Sequence, residues 1–194
     1  MIPEKVTLLV APARLEPKYS RLPMGINASF EHVESLILNS PVALLEDSRL
    51  KLVGESRTLI EVDLTSLASP LDLTNLKASW NDVDTRQINC FAVWANLTLT
   101  PGVTISTVET TSWSTMAYRV KPFSNKHGNL EFKLSLTRES NYWTTTLSSD
   151  KSEEVHSYSP ALAARELLLR TRTNPDAFNH LQRLGLIELA ANQT

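Results

Sequence analysis

Apolar and polar side chains alternate along most of the first 147 residues of this chain. The longest alternating run spans 88–100. In an extended chain, one face of this run carries Phe91, Val93, Ala95, Leu97 and Leu99. The opposite face carries Trp94, Asn96, Thr98 and Thr100. A period of two is the pattern of a β-strand that is buried on one face, so 88–100 is predicted to be a long strand.

Similar alternation predicts further strands, each bounded by turn-forming residues. They cover 6–10, 58–64, 76–80, 116–120, 130–136 and 142–147. Strands with one covered and one wetter face pair in antiparallel fashion. The dipeptide Pro101-Gly102 is a strong turn signal between two of them. A set of roughly seven or eight such strands joined by turns predicts a mainly β fold, an antiparallel β-barrel or sandwich.

A short stretch near the N-terminus has helical spacing instead. Apolar residues three and four apart predict one amphipathic helix there, and they are Phe30, Val33, Leu36 and Ile37. Pro41 follows the last of them and marks the end of the helix. We therefore expect a β-barrel domain at 1–150 that carries a short helical arm at about 27–45.

The C-terminal part of the chain has a different character. After a polar linker at 147–157, Ser159 is a good N-cap residue and Pro160 suits the first helical position. A second helix is predicted to end at Gly185. We expect a small helical C-terminal extension at 158–194. A winged-helix DNA binder is the alternative for this tail, but its arginines are interspersed with acidic residues and form no single stripe.

Composition narrows the class of protein. Lys and Arg total 19 and Asp and Glu total 21, so the net charge of −2 offers no broad basic face for nucleic acid. Cys90 is the single cysteine, which excludes an internal disulfide framework and fits a reducing compartment. No apolar run approaches the roughly 20 residues that a membrane span needs. A cytoplasmic protein is therefore expected, with neither nucleic acid nor a membrane as its partner.

The motifs of common enzyme chemistry are missing from the sequence. Its five glycines stand apart from one another, so no glycine-rich loop is predicted to hold a phosphate or a nucleotide cofactor. Its four histidines have no ligand partner at helical spacing, so no metal site is expected. No nucleophile motif supports an independent hydrolase. We expect no catalytic residue in this chain taken alone.

The order of the predicted segments resembles the C-terminal β-barrel of the protein arginine methyltransferase family. The resemblance covers about residues 1–147 and rests on MIPEKVTLLVAP, LIEVDL, CFAVWANLTL and TISTVETTSWSTMAYRV. In that family the barrel follows a Rossmann-type domain that binds S-adenosylmethionine. The barrel begins at a proline-containing entry strand, and Pro3 stands at that place here. The resemblance implies a barrel that serves substrate binding and dimerisation.

The family also has a loop ending in Thr-His-Trp that lines the acceptor-arginine site. Thr111, Ser112 and Trp113 stand at these positions, so the resemblance implies that they bind the acceptor. In the family, the histidine helps hold the loop and supports the catalytic acidic residues. Serine stands in its place here. With serine at this position, the chain departs from the Thr-His-Trp motif that accompanies arginine specificity in the family. Alternatively, Trp113 is a rim aromatic that packs on the end of the barrel.

The resemblance gives the helical arm a role as well. In the family a short helical excursion early in the barrel is the dimerisation arm. Phe30, Val33, Leu36 and Ile37 match it in position and character, so a homodimer through the arm is one expectation. The other is a helix that covers the protein's own core.

Cofactor and partners follow from the same resemblance. The family's cofactor loop and its pair of catalytic glutamates belong to the Rossmann domain and match no residue here. We therefore expect no cofactor bound by this chain, and S-adenosylmethionine in the complete enzyme. The expected partners are a cofactor-binding Rossmann domain, in cis or in trans, and a protein or peptide acceptor. The alternative is a non-catalytic binding or dimerisation module that retains only the barrel.

Overall fold

The computed structural model describes residues 3–16, 38–39, 41–44, 50–107, 115–137, 141–150 and 152–160. These residues form strands joined by turns and a single-turn 3-10 helix at Thr85–Gln87. The strands are β1 (Lys5–Leu15), β2 (Val42–Leu44), β3 (Leu50–Leu52), β4 (Arg57–Asp63), β5 (Leu76–Asp84), β6 (Cys90–Thr100), β7 (Val103–Ser106), β8 (Thr115–Arg119), β9 (His127–Leu136), β10 (Asn141–Ser148) and β11 (Glu153–Tyr158). The predicted mainly β class is confirmed for this part of the chain.

Two antiparallel sheets make up the described fold. Sheet A has the order β2-β8-β6-β1-β3, with β4 also paired to β1 and β7 also paired to β6. It curls into a half-barrel. Sheet B has the order β11-β10-β9-β5. The β6–β7 hairpin turns at Pro101-Gly102, and Gly102 has a φ of 83°, a value that favours glycine.

The larger hydrophobic core lies between the two sheets. Sheet A contributes Val10, Phe91, Val93 and Tyr118 to it, and sheet B contributes Leu130, Phe132, Leu134, Trp143, Leu147 and Tyr158. Aromatic rings form its centre: the centroids of Phe91 and Phe132 are 4.6 Å apart, and those of Tyr118 and Trp143 are 5.1 Å apart. The alternation that predicted these strands is therefore the alternation of side chains pointing into this core.

The opposite face of sheet A is buried too, which the alternation did not predict. Trp94 was expected on the wetter face, yet it is only 6% exposed. It joins a second apolar cluster with Ala11, Ala13, Leu15, Leu44, Cys90, Ala92 and Ala117. A strand that is buried on both faces does not alternate in polarity. The centre of sheet A therefore belongs to two cores.

The predicted linker at 147–157 was wrong for its second half. Residues Glu153–Tyr158 form β11, which pairs with β10 from Ser148↔Glu153 to Trp143↔Tyr158. The inward positions of β11 carry Glu154 and His156 as well as Tyr158, so its sequence reads as polar. Hydrogen bonds between these polar side chains and their neighbours replace the apolar contacts of an ordinary core position.

The helical segments predicted from the sequence fall mostly outside the described residues. Phe30, Val33, Leu36 and Ile37 of the expected arm lie there, as does the expected extension beyond Pro160. Pro160 itself has helical backbone, directly after Ser159. Among the described residues, no helix has the length and apolar character needed to cross a membrane.

Candidate functional site at the base of the loop between β7 and β8

The loop predicted to bind the acceptor leaves sheet A at one edge of β6. Strand β7 pairs with the second half of β6, from Asn96↔Ser106 onward. Strand β8 pairs with its first half, up to Val93↔Met116. Residues 108–114, which include Thr111, Ser112 and Trp113, connect the two and lie outside the described residues. The structure therefore defines the two ends of this loop and the strand edge between them.

Thr107 anchors the first end of the loop. Its backbone N–H donates to the carbonyl oxygen of Ala95 at 2.8 Å, and its Oγ1 accepts from the backbone N–H of Ala95 at 3.0 Å. The side chain thus completes a pairing that the backbone of β7 no longer provides. Thr107 is 5% exposed, so water does not compete for these bonds. The chain leaves the sheet at a fixed point.

Thr115 anchors the second end. It pairs with Leu44 of β2 and is only 2% exposed. Its Oγ1 is buried and has no hydrogen-bond partner. A buried hydroxyl that makes no hydrogen bond costs roughly 1–3 kcal/mol. This end of the loop therefore keeps an unused polar group beside the site.

A second unused acceptor lies on the same face of sheet A. Residues directly opposite each other in paired strands share a face, and Ala92 pairs with Ala117. By alternation, Trp94, Asn96 and Thr115 belong to that face as well. Asn96 Oδ1 is buried and has no hydrogen-bond partner. An amide oxygen and a hydroxyl oxygen both accept hydrogen bonds, so this face of sheet A carries two buried acceptors that have no donor.

These polar residues were missed at the level of sequence. The alternation places Asn96 on the outer face of a strand, and it does not indicate that Thr107 and Thr115 are buried. Their one sequence signal is position, because Thr107 and Thr115 flank the loop on both sides. Polarity alone does not distinguish a buried threonine from an exposed one, so the signal is weak.

Cys90 and Arg119 lie farther along this face and are paired across β6 and β8. Burial raises the pKa of the Cys90 thiol to about 12, so the thiol is neutral near pH 7 and is a poor nucleophile. Burial also lowers the pKa of Arg119, and the neighbouring Cys90 opposes that shift. The pair therefore belongs to the packing of the second core and offers no covalent chemistry.

One cluster on sheet B has the residue types of a hydrolase. Glu154 Oε1 lies 3.0 Å from His156 Nε2 and accepts from Ser124 Oγ at 3.4 Å. Serine therefore bonds to the carboxylate and not to the imidazole, so no base activates it. The cluster fixes the segment at 121–126 to β11, since the backbone N–H of Ser124 also donates to Glu154 at 2.9 Å.

The three glycines within the described residues do not form a nucleotide-binding loop. Gly54 packs against the Pro12 ring, Gly128 lies against the carbonyl of Ser148, and Gly102 occupies a hairpin turn. None of the three opens a loop that leads from a strand into a helix, as a nucleotide site requires. Within the same residues, no group of three or more histidine, cysteine or carboxylate side chains could hold a metal.

Comparison with known proteins places the fold. No protein-family model matches this sequence. No curated protein matches it either. Among solved structures, the chain is similar to protein arginine methyltransferase 10 of Arabidopsis thaliana, which was crystallised in an open conformation. The TM-score is 0.57 and the sequence identity is 14%, over 81% of this chain. The chain thus has a fold like that of a protein arginine methyltransferase.

The chain spans 59% of the length of the Arabidopsis protein. At 14% identity the likeness concerns the fold alone. Function must then be argued from the residues at the base of the loop.

Proposed function

We propose that this chain is the substrate-side β-barrel domain of a protein arginine methyltransferase-like enzyme. In this role the barrel holds the acceptor, and a Rossmann domain, in cis or in trans, binds S-adenosylmethionine and supplies the catalytic groups. The chain is not catalytic by itself. The acceptor is a protein or a peptide.

The observation that carries this proposal is the anchored loop between β7 and β8. Thr107 and Thr115 are buried at its two ends, on a curled sheet whose fold resembles that of a methyltransferase. The loop carries Thr111, Ser112 and Trp113, which match the family's acceptor loop in position. Buried anchors fix the two points at which this loop leaves the sheet, and an acceptor site requires a rigid support of this kind.

The chemistry of the loop base favours a nitrogen acceptor. The guanidinium group of arginine and the ammonium group of lysine are hydrogen-bond donors without acceptors. Asn96 Oδ1 supplies a buried oxygen that has no donor of its own. An aromatic ring beside such an oxygen adds attraction for a cation, and Trp94 and Trp113 are the candidate rings. The proposed site therefore suits a positively charged side chain.

Two titrations test the proposal. Calorimetry with S-adenosylmethionine should show no binding to the chain alone, because the cofactor loop belongs to the Rossmann domain. Micromolar binding of the cofactor would contradict the proposal that only the Rossmann domain binds it. Methylation of an arginine-rich peptide should require a cofactor-binding domain in addition to this chain. Methyl transfer to the peptide by the chain alone would contradict the proposal that the chain is not catalytic by itself.

The second candidate function is a non-catalytic binding or dimerisation module. Ser112 favours it, because serine stands where the family has a histidine that supports the catalytic glutamates. In this case the segment with Phe30, Val33, Leu36 and Ile37 would join two copies. Sedimentation distinguishes the two candidates in part: a dimer that Val33→Asp and Leu36→Asp abolish would support an arm. Replacing Ser112 by histidine should raise methylation only if the first candidate is correct.

A further inference from the structure

A basic cavity lies beside the start of β6, whereas the acceptor loop is anchored near the middle of that strand. It has a volume of about 190 Å³ and is bounded by the end of β1, the 3-10 turn and the segment at 121–126. Arg14, Arg86 and Lys126 line it, and none of the described residues in its lining is acidic. Cys90 and Asn96 are separated by six residues of β6, which corresponds to roughly 20 Å. The cavity is therefore separate from the proposed acceptor site.

The walls of this cavity are fixed by hydrogen bonds between the three segments. The Asn89 side chain accepts from the backbone N–H of Leu15 at 2.7 Å and donates to its carbonyl at 2.9 Å. Thr85 donates through its hydroxyl to the carbonyl of Asn125 at 2.7 Å and through its backbone N–H to that of Lys126 at 2.9 Å. The frame thus exists before any ligand binds, which lowers the entropy cost of binding.

Arg86 is held in place by a carboxylate outside the cavity. Its Nε and Nη2 donate to Asp84 at 2.9 and 2.6 Å. Hydrogen bonding with Arg86 strongly lowers the pKa of Asp84, so this pair is intact at neutral pH. A guanidinium group has five N–H donors in a rigid plane, and the bidentate pair uses only part of them. The remaining edge of Arg86 is available to a second anion.

The other two cations of the cavity differ from Arg86 in this respect. Neither Arg14 nor Lys126 makes an ion pair within the described part of the chain. Pro122 and Phe123 add apolar surface to the lining of the cavity. Phe123 stacks on His156 with centroids 5.4 Å apart, which fixes this part of the lining to β11. A lining that combines positive charge with an aromatic ring suits an anion that carries an apolar group.

We propose that this cavity binds a phosphate group. Two free cations and the exposed edge of an oriented guanidinium match the charge of a dianion and the several acceptor oxygens of phosphate. The net charge of the chain is −2, so the positive charge of this cavity is local and does not belong to a wider basic face. The ligand is a small phosphate, either the free ion or a monoester whose organic part rests on Phe123.

Calorimetric titrations at constant ionic strength test this site. Inorganic phosphate and phenyl phosphate are the two probes, and chloride is the reference anion. The pocket variant carries Arg14→Gln and Lys126→Gln. The matched control carries Lys77→Gln and Lys133→Gln, which removes the same charge from paired positions on sheet B. Circular dichroism checks that each variant folds, and Lys126→Gln alone is the fallback.

We expect saturable binding of at least one probe by the native chain and by the control. The pocket variant should bind at least about tenfold more weakly, because it lacks two charged donors. Tighter binding of phenyl phosphate than of phosphate would identify a monoester as the ligand, and the reverse would identify the free ion. Equal affinity in the pocket variant and the control, or no saturable binding of either probe to the native chain, would overturn the proposal.

Discussion

Thr107 and Ala95 exchange two hydrogen bonds at the edge of β6, and one of them uses a side chain. The backbone N–H of Thr107 donates to Ala95, and the N–H of Ala95 donates to Thr107 Oγ1. A hydroxyl replaces a backbone carbonyl at the position where β7 ends. The loop that begins one residue later therefore leaves a complete strand edge, without an orphaned N–H group in the sheet.

Replacing Thr107 with valine should destabilise the fold. Valine keeps the shape and removes Oγ1, which leaves the buried N–H of Ala95 without an acceptor at a cost of roughly 1–3 kcal/mol. Urea denaturation measures the change in the free energy of unfolding. Thr104→Val is the matched control on β7, because Thr104 is exposed and contacts Thr98 only at 3.5 Å. Equal effects of the two substitutions would show that the hydroxyl of Thr107 does not close the strand edge.

Gly128→Ala should destabilise the fold through a steric conflict. A Cβ atom at this position would lie 2.6 Å from the backbone oxygen of Ser148, which β10 holds in place. Overpacking of this kind costs roughly 1–3 kcal/mol. Gly102→Asn is the control, since no atom lies within 4 Å and asparagine tolerates the φ of 83°. Thermal unfolding measures the Tm of both variants. A Gly128→Ala variant with the Tm of the native chain would argue against the close β9–β10 contact.

The stability of the fold should fall at alkaline pH. Burial raises the pKa of Tyr118 to about 12, from an ordinary value of 10 in the unfolded chain. Between these values the unfolded chain releases a proton that the folded chain keeps. The stabilisation is therefore complete below pH 10 and is lost as the pH rises toward 12, by up to about 1.4 kcal/mol per pH unit.

Tyr118→Phe removes this titrating group, so its unfolding free energy should depend less on pH between 10 and 12 than that of the native chain. Tyr142→Phe is the control. Hydrogen bonds with Ser157 and Thr144 lower the pKa of Tyr142, which acts in the opposite direction. Urea titrations at a series of alkaline pH values measure both. Parallel pH profiles for the native chain and Tyr118→Phe would contradict the prediction.

Asn96→Leu should stabilise the fold or leave its stability unchanged. Asn96 Oδ1 is buried and accepts no hydrogen bond. The substitution therefore removes a polar atom that loses its hydration on folding and gains no hydrogen bond in return. The same change should weaken the binding of a cationic acceptor. Stability and function would then move in opposite directions, as is common for binding residues. A loss of more than about 1 kcal/mol in urea denaturation would indicate that the amide already has a structural role.

Much of the fold was predictable from the pattern of β6 and its neighbours. Phe91 and Val93 point into the core between the sheets, as their alternation indicated. The burial of Trp94 was not predictable in the same way. Its neighbours in the second cluster include Ala11, Ala13 and Ala92, and alanine adds little to a hydrophobic pattern in a sequence.

Strand β11 was missed for a different physical reason. Two of its inward positions carry Glu154 and His156, which pair with each other, and Glu154 also accepts from Ser124, 30 residues away in sequence. Such long-range pairing has no local signature, so the segment read as a polar linker. The roles of Thr107 and Thr115 could not be inferred from the sequence, because they depend on the register of β7 and β8.

Binding of an acceptor peptide tests the central claim most directly. An arginine-rich peptide is titrated into the native chain and into Trp113→Ala, with calorimetric detection, and the same peptide with its arginines replaced by glutamine is the control. We expect saturable binding to the native chain, weakened at least about tenfold in Trp113→Ala and absent for the control peptide. Equal binding of both peptides, or binding that Trp113→Ala leaves unchanged, would contradict a substrate-side role for this barrel.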